Sequence, residues 1–213
     1  MEKPILATTL SGLFIKQEAW EKAHILWYKE AAKKLKDNSV LKWIDKPDYF
    51  KGVDEVMQRL YPNLAEEERT KTARRMFFDS VIQNIQENPH LKNNKVIDYF
   101  STLKKKYRLA LITTNTRKAL ERILLATNLN GLFDIIEASE ESEKDDKIAV
   151  FERFTKKYGK PLIYIGGDKK DSFDYCKNHK IQGIFANLEG QEEIEGVKSV
   201  HNLEELGKKL AQL

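Results

Sequence analysis

Two hydroxyl residues, Thr9 and Ser11, sit where a short apolar run ends in a turn. The stretch from Pro4 to Glu18 reads PILATTLSGLFIKQE, with Ile5-Leu6-Ala7 leading into Thr9-Leu10-Ser11-Gly12. A buried strand followed by a tight turn is how an α/β enzyme presents chemical groups at the carboxyl edge of its sheet. Neutral hydroxyls do limited chemistry there. A hydroxyl needs an activating base to become a nucleophile, and no His lies near Thr9 in the sequence. Ser11 is too weakly acidic to give up a proton near pH 7. The stretch instead offers donors: the two hydroxyls and the backbone N–H groups of the Leu10–Leu13 turn, an arrangement suited to an anion. Thr113 ends a second apolar run (RLALIT), Lys147 opens a helical stretch, and Asp168 follows a third apolar run and Gly166-Gly167. Each has a plainer reading. Thr9, Ser11 and Thr113 also suit ordinary strand ends, Lys147 a surface helix start, and Asp168 a helix cap.

The rest of the composition narrows the field. At 213 residues the chain is long enough for a sizeable core, as one domain or one domain with an insertion. Charged residues are 33% and hydrophobic ones 41%, the balance of a soluble protein. No apolar stretch approaches the roughly 20 residues that cross a bilayer. The N-terminus lacks the layout of a signal peptide. Its single cysteine, Cys176, excludes an internal disulfide and multi-cysteine zinc sites, and a reducing cytosol is the expected home. Cys176 itself reads as a small buried hydrophobe. The four His residues show no ligand spacing. A net charge of +4 is too mild to argue for nucleic acid, and the Lys runs read as solvated helix faces.

Periodicity supplies the scaffold that would hold these residues. Residues 4–10 read as strand. Helical spacing follows over Glu18–Lys36, where Trp20, Ala23, Trp27, Ala31 and Leu35 recur three and four apart, and then over Val53–Leu60, Glu66–Gln86 and Val96–Lys106. Pro47, Pro62 and Pro89 mark the breaks, and Asn63 reads as a helix cap before an acidic first turn. The aromatics of this block, Trp43, Phe77 and Phe78 among them, read as its core. After Lys106 strands and helices alternate. Strands are expected at Arg108–Thr113, Phe133–Ala138, Leu162–Ile165, Gln182–Ala186 and near Ser199-Val200, and helices at Arg117–Thr127, Lys147–Tyr158, Ser172–Asn178 and Leu203–Leu213. Gly159 is the expected C-cap. This pattern implies a doubly wound parallel sheet covered on both faces. The first strand joins that sheet only if the helical block is an insertion. The expected division is a core of residues 1–15 and 96–213 with a helical cap of residues 16–95.

Four stretches, in order, resemble the motifs of the haloacid dehalogenase (HAD) superfamily. PILATTLSG resembles the first, an apolar strand then Asp-x-Asp-Gly-Thr-Leu, with Thr9 and Ser11 at the two Asp positions. YRLALITTN resembles the second, a strand ending in Thr113, followed by Thr114 and Asn115. Lys147 suits the third-motif lysine, with Lys144 a close rival. LIYIGGDKKDSFDY resembles the fourth, in which Asp168 keeps the first acid and Ser172 falls where the second is usual, between Asp171 and Asp174. The resemblance implies a Rossmann-like core with a helical cap. In active members it implies that the first Asp attacks phosphorus, the second shuttles a proton, and Mg²⁺ bridges phosphate and carboxylates.

With Thr9 and Ser11 in those places, the expected protein has lost the aspartyl-phosphate reaction and keeps a pocket for phosphate or another anion. Thr9, Leu10, Ser11, Gly12, Thr113, Thr114 and Lys147 would line it. Mg²⁺, if held at all, would be held weakly by Asp168 and Asp171, because a hard cation wants anionic oxygens. The expected partners are a phosphorylated small molecule or inorganic phosphate, or a protein engaged through the cap. The alternative is a working phosphatase that uses substitute residues and Mg²⁺.

Overall fold

The computed structural model describes residues 2–45, 49–143, 145–168 and 170–212. Pro47 and Lys144 fall outside them. Six strands form one sheet: β1 (Ile5–Thr8), β2 (Arg108–Thr116), β3 (Ile135–Ser139), β4 (Ile163–Gly166), β5 (Gln182–Ala186) and β6 (Lys198–Val200). Their order is β3-β2-β1-β4-β5-β6, and every pairing is parallel. The chain winds outward from β1 one way through β2 and β3, then the other way through β4 to β6. The crevice above the carboxyl ends of β1 and β4 is therefore the topological switch point, where ligands bind in open α/β sheets.

The alternation of side chains along each strand sorts the core into two layers. Leu6, Leu109, Leu111, Ile163 and Ile165 face one side and pack with Phe100, Leu120, Ile123 and Leu206. These come from α4 (Asn94–Leu103), α5 (Arg117–Thr127) and α8 (Leu203–Leu210). Ala7, Ala110, Ile112 and Tyr164 face the other side, with Phe151, Phe154, Phe173 and Cys176 from α6 (Lys147–Tyr158) and α7 (Lys170–Asn178). Both faces are covered, which is why the strands read as continuous apolar runs.

Between β1 and β2 lie α1 (Glu18–Leu35), a 3₁₀ turn (Asn38–Trp43), α2 (Tyr49–Leu60) and α3 (Glu66–Glu87). Trp27, Tyr28, Val40, Val56, Met57 and Ala73 make a separate apolar cluster there. Both α1 and α3 also reach the sheet's own cluster, through Ala19, Ala23, Val81, Ile82 and Ile85. The buried Asn84 amide donates to Ala19 O at 3.2 Å and fixes the two helices against each other. The cap is thus continuous with the core through two long helices.

Some boundaries differ from the sequence expectation. Ala65, not Asn63, caps α3, with no side-chain bond. The helix start is marked instead by Glu66, Glu67 and Glu68 at the positive end of its dipole. Strand β2 runs three residues past Thr113. Its register against β3 shifts between Thr113 and Thr116 because a bulge holds the extra residues. Gly159 does cap α6, at φ 83°.

Two turns meet at the switch point. A Cβ on Gly12 (φ +69°) would lie 2.2 Å from Gly167 O, and a Cβ on Gly167 would lie 2.4 Å from Gly12 C. Only glycine permits this approach. Gly131 also has positive φ, +77°, but open space around it. Gly12→Ala is expected to cost at least about 2 kcal/mol, from collision and φ strain together. Gly131→Ala carries the strain alone, about 1 kcal/mol. Urea midpoints at unchanged slope read the difference, and equal losses would refute the close-contact account.

Candidate ligand-binding site at the sheet edge

A cavity of about 610 Å³ lies between the carboxyl edge of the sheet and the cap helices. Each floor residue is placed by a local feature. Thr9, Leu10 and Ser11 follow the end of β1 directly and line the cavity. Thr9 and Ser11 are 4% and 9% exposed. The bulge in β2 turns Thr113, Thr114 and Asn115 toward the same space. Thr113 Oγ1 accepts from Asn115 N at 3.1 Å, which leaves its own proton to donate. Asp146 caps α6 by accepting from Ala149 N at 3.0 Å. That fixes the helix start, so Lys147 stands in the first turn and reaches back to the cavity. Its ammonium, on a residue 4% exposed, donates to Ile112 O. Asp168 closes the floor from beyond β4.

The structure therefore brings Thr9, Leu10, Ser11, Thr113, Thr114, Lys147 and Asp168 to one cavity. Gly12 is not on its wall and acts behind it, through Gly167. Asp171 is exposed in the first turn of α7, away from the lining, and Ser172 is fully buried. Lys144 lies outside the described residues.

Several lining residues carry no local sequence signal. Asp145 is one acid in a charged run and joins the floor only through the placement of α6. Arg74 comes from α3 and donates to the carbonyls of Thr114 and Glu143, with its guanidinium over the Phe78 ring at 5.9 Å. Gln17, just before α1, accepts the Ser11 hydroxyl proton through Oε1, and its own N–H donates to Glu189 Oε2 at 3.0 Å. The Ser11 proton is thereby already committed.

Burial holds Tyr164 and Cys176, in the layer under the sheet, in their neutral forms. Burial first, and the Asp168 charge second, push the Tyr164 phenol well above its ordinary value, while the Ser172 and Thr9 hydroxyls act the other way. Burial pushes the Cys176 thiol up to about 12, against a smaller opposite effect of Lys147, so it is a neutral thiol at pH 7. His24 lines the cavity from the cap, where its Nε2 donates to Ile44 O at 3.1 Å. Desolvation lowers its pKa, against opposite effects of Ile44 O and Asp45. It is bound within the cap and is no base for Thr9.

The donor set does not fit Mg²⁺. Among the described residues no group of three or more His, Cys, Asp or Glu side chains is arranged to hold a metal ion. At the carboxyl end of β1 the oxygens are neutral, and the Lys147 ammonium shares the cavity. Mg²⁺ demands a tight octahedral oxygen shell with anionic members. Among the described residues no helix is long and apolar enough to cross a membrane.

A family model described as haloacid dehalogenase-like hydrolase matches residues 22–186. Among curated proteins no sequence matches the chain. Solved structures of this fold cover it almost end to end. A HAD phosphatase from Thermococcus onnurineus aligns with a TM-score of 0.64 at 16% identity, over 99% of this chain and 98% of that one. The 2-haloacid dehalogenase of Pseudomonas syringae pv. Tomato gives 0.62 at 18%, over 100% and 99%. The YfnB protein of Bacillus subtilis, in a crystal form bound to magnesium, gives 0.62 at 15%, over 99% and 100%. At such identities the structural likeness speaks for the fold alone. With the family match over most of the length, the switch-point cavity and the sheet order, the chain belongs to the haloacid dehalogenase-like hydrolase family.

Proposed function

We propose that this protein uses the HAD cavity to bind a phosphorylated small molecule without the family's aspartyl-phosphate reaction and without need of Mg²⁺. The observation that carries the reading is the charge at the floor. Asp145 and Asp168 stand against Lys147 and Arg74, while Thr9 and Ser11 contribute none. Carboxylates at those two positions would leave the floor two charges more negative, and an incoming phosphate would then require a cation to screen it. With hydroxyls there, Lys147 and the Thr9 and Thr113 hydroxyls meet the anion directly, whereas the Gly12 and Leu13 N–H groups of the turn after β1 already donate to Ile15 O and Leu10 O.

The same residues hold back chemistry. Thr9 and Ser11 carry no carboxylate, and the Ser11 proton is engaged with Gln17. The positions of Thr9 and Ser11 therefore supply none of the acid–base contribution, about 10²–10⁴ in rate. Asp145 in the cavity favours a second reading, a hydrolase in which a carboxylate activates water directly.

Isothermal titration with inorganic phosphate in EDTA tests the first reading. Binding is expected in EDTA, and Lys147→Met should weaken it at least about tenfold, since a hydrogen bond to a charged group contributes about 1.5–3 kcal/mol. No binding by the parent chain in EDTA would overturn the proposal. Assay of p-nitrophenyl phosphate with Mg²⁺ separates the second reading. No turnover above buffer is expected. Turnover that Asp145→Asn abolishes would establish the hydrolase instead.

A further inference from the structure

The cavity at the sheet edge is far larger than a phosphate needs. Its volume of about 610 Å³ falls within the range of about 300–1,000 Å³ that holds an organic ligand. Two kinds of surface adjoin the floor. Gln17, Glu21 and Asp168 are shared with a second pocket, whose other described lining residues, Lys16 and Glu189 among them, are all charged or amide side chains. The cap helices supply the other kind, and it is largely apolar.

Five apolar residues line the cavity from the cap without being fully buried: Trp20 and Ile25 on α1, Ile44 after the 3₁₀ turn, Val53 on α2 and Phe77 on α3. The cap's core residues Val56, Met57 and Ala73, by contrast, are buried. Ile25 belongs to none of the three apolar clusters formed by the described residues, so it lines the cavity rather than a core. Apolar surface left facing water is a cost, and an apolar ligand group that covers it recovers that cost. The wall is also preformed. His24 Nε2 donates to Ile44 O at 3.1 Å and ties the 3₁₀ turn to α1, while Phe77 packs against both the sheet's cluster and the cap's. A wall already in place spares a ligand the cost of ordering it. Glu21, Asp45 and Asp54 line the cavity as well, but these three are exposed residues that water solvates.

We infer that the ligand is a phosphate ester of a hydrophobic alcohol or phenol, with its phosphate at the floor and its hydrocarbon group against Trp20, Ile25, Ile44, Val53 and Phe77. The inference rests on the anion-binding reading and adds the class of molecule that carries the anion. A polyhydroxylated ester would bring its hydroxyls out of water against a hydrocarbon wall, at a cost that no new hydrogen bond offsets there. In the polar pocket beside the floor the same ester would exchange water for similar partners and gain little. A hydrocarbon group gains only at the cap wall, where the Trp20 and Phe77 rings add favourable contact for an aromatic one.

The test uses phosphonates, whose P–C bond resists hydrolysis, so that binding is read whether or not the chain turns esters over. Phenylphosphonate and methylphosphonate present the same anionic group and differ in hydrocarbon. Each is titrated into the full chain in EDTA, beside glycerol 3-phosphate and inorganic phosphate. Phenylphosphonate is expected to bind at least about tenfold more tightly than methylphosphonate or glycerol 3-phosphate. In Ile25→Asn, and separately in Val53→Asn, the ratio of phenyl to methyl affinity should fall at least about threefold. Ile25 lies outside the apolar clusters, so its variant is expected to keep a cooperative thermal transition like the parent's. Equal affinities for the two phosphonates in the parent, with both bound, would overturn the inference and leave anion binding intact. Glycerol 3-phosphate bound as tightly as phenylphosphonate would overturn it too, in favour of the polar pocket. An undiminished ratio in a folded Ile25→Asn protein would overturn the assignment to the cap wall. If inorganic phosphate and both phosphonates fail to bind, the underlying anion reading falls, and the inference with it.

Discussion

An ammonium buried at the edge of a parallel sheet is the constraint around which this molecule is arranged. Lys147 is 4% exposed, and a charge so placed is tolerated only where hydrogen bonds and counter-charges meet it. Ile112 O takes one of its protons, Asp168 stands across the floor, and the Phe151 and Tyr164 rings lie 5.7 and 5.9 Å from the nitrogen. The cap on α6 provided by Asp146 holds the helix start in register with the end of β2. Every other feature of the floor is read against this fixed positive charge. At the end of β1, Thr9 and Ser11 bring neutral hydroxyls to the cavity that this ammonium shares.

The same scaffold explains why cap and core act as one enclosure. α1 and α3 each contribute to the cap's own cluster and to the sheet's. Arg74 reaches from α3 to the β2 bulge and the loop before α6, so a cap residue touches the segments that carry Thr114 and Glu143. Glu189, in the loop after β5, takes the Gln17 amide whose side chain holds Ser11. The floor is thus tied to the cap entrance on two sides.

Much of this was legible in the sequence because the signals are local. The apolar run of β5 and the amphipathic spacing of α5 and α6 fix those elements to the residue, and four motif-like stretches after suitable strands marked the floor. What escaped depends on contacts between distant segments. Arg74 reaches the floor across 40 residues to Thr114, and nothing around Arg74 announces it. Asp145 cannot be told from its charged neighbours until α6 is placed. Asp171 lies exposed in the first turn of α7, away from the cavity, which its spacing from Asp168 alone does not reveal. The bulge in β2 has no glycine to betray it. Trp20 and Trp27 read correctly as helix-face residues, yet periodicity alone does not tell a buried core from the wall of a cavity.

The account turns on the absence of negative charge at the end of β1, and restoring one charge tests it. Phosphate affinity in EDTA should be compared between the parent chain and the single variant Thr9→Asp. A unit charge about 4 Å from an anion is repelled by about 4 kcal/mol at an effective dielectric of about 20. The variant should therefore bind phosphate at least about tenfold more weakly, and Mg²⁺ should recover part of the loss. A Thr9→Asp protein that binds phosphate in EDTA as well as its parent would contradict the account.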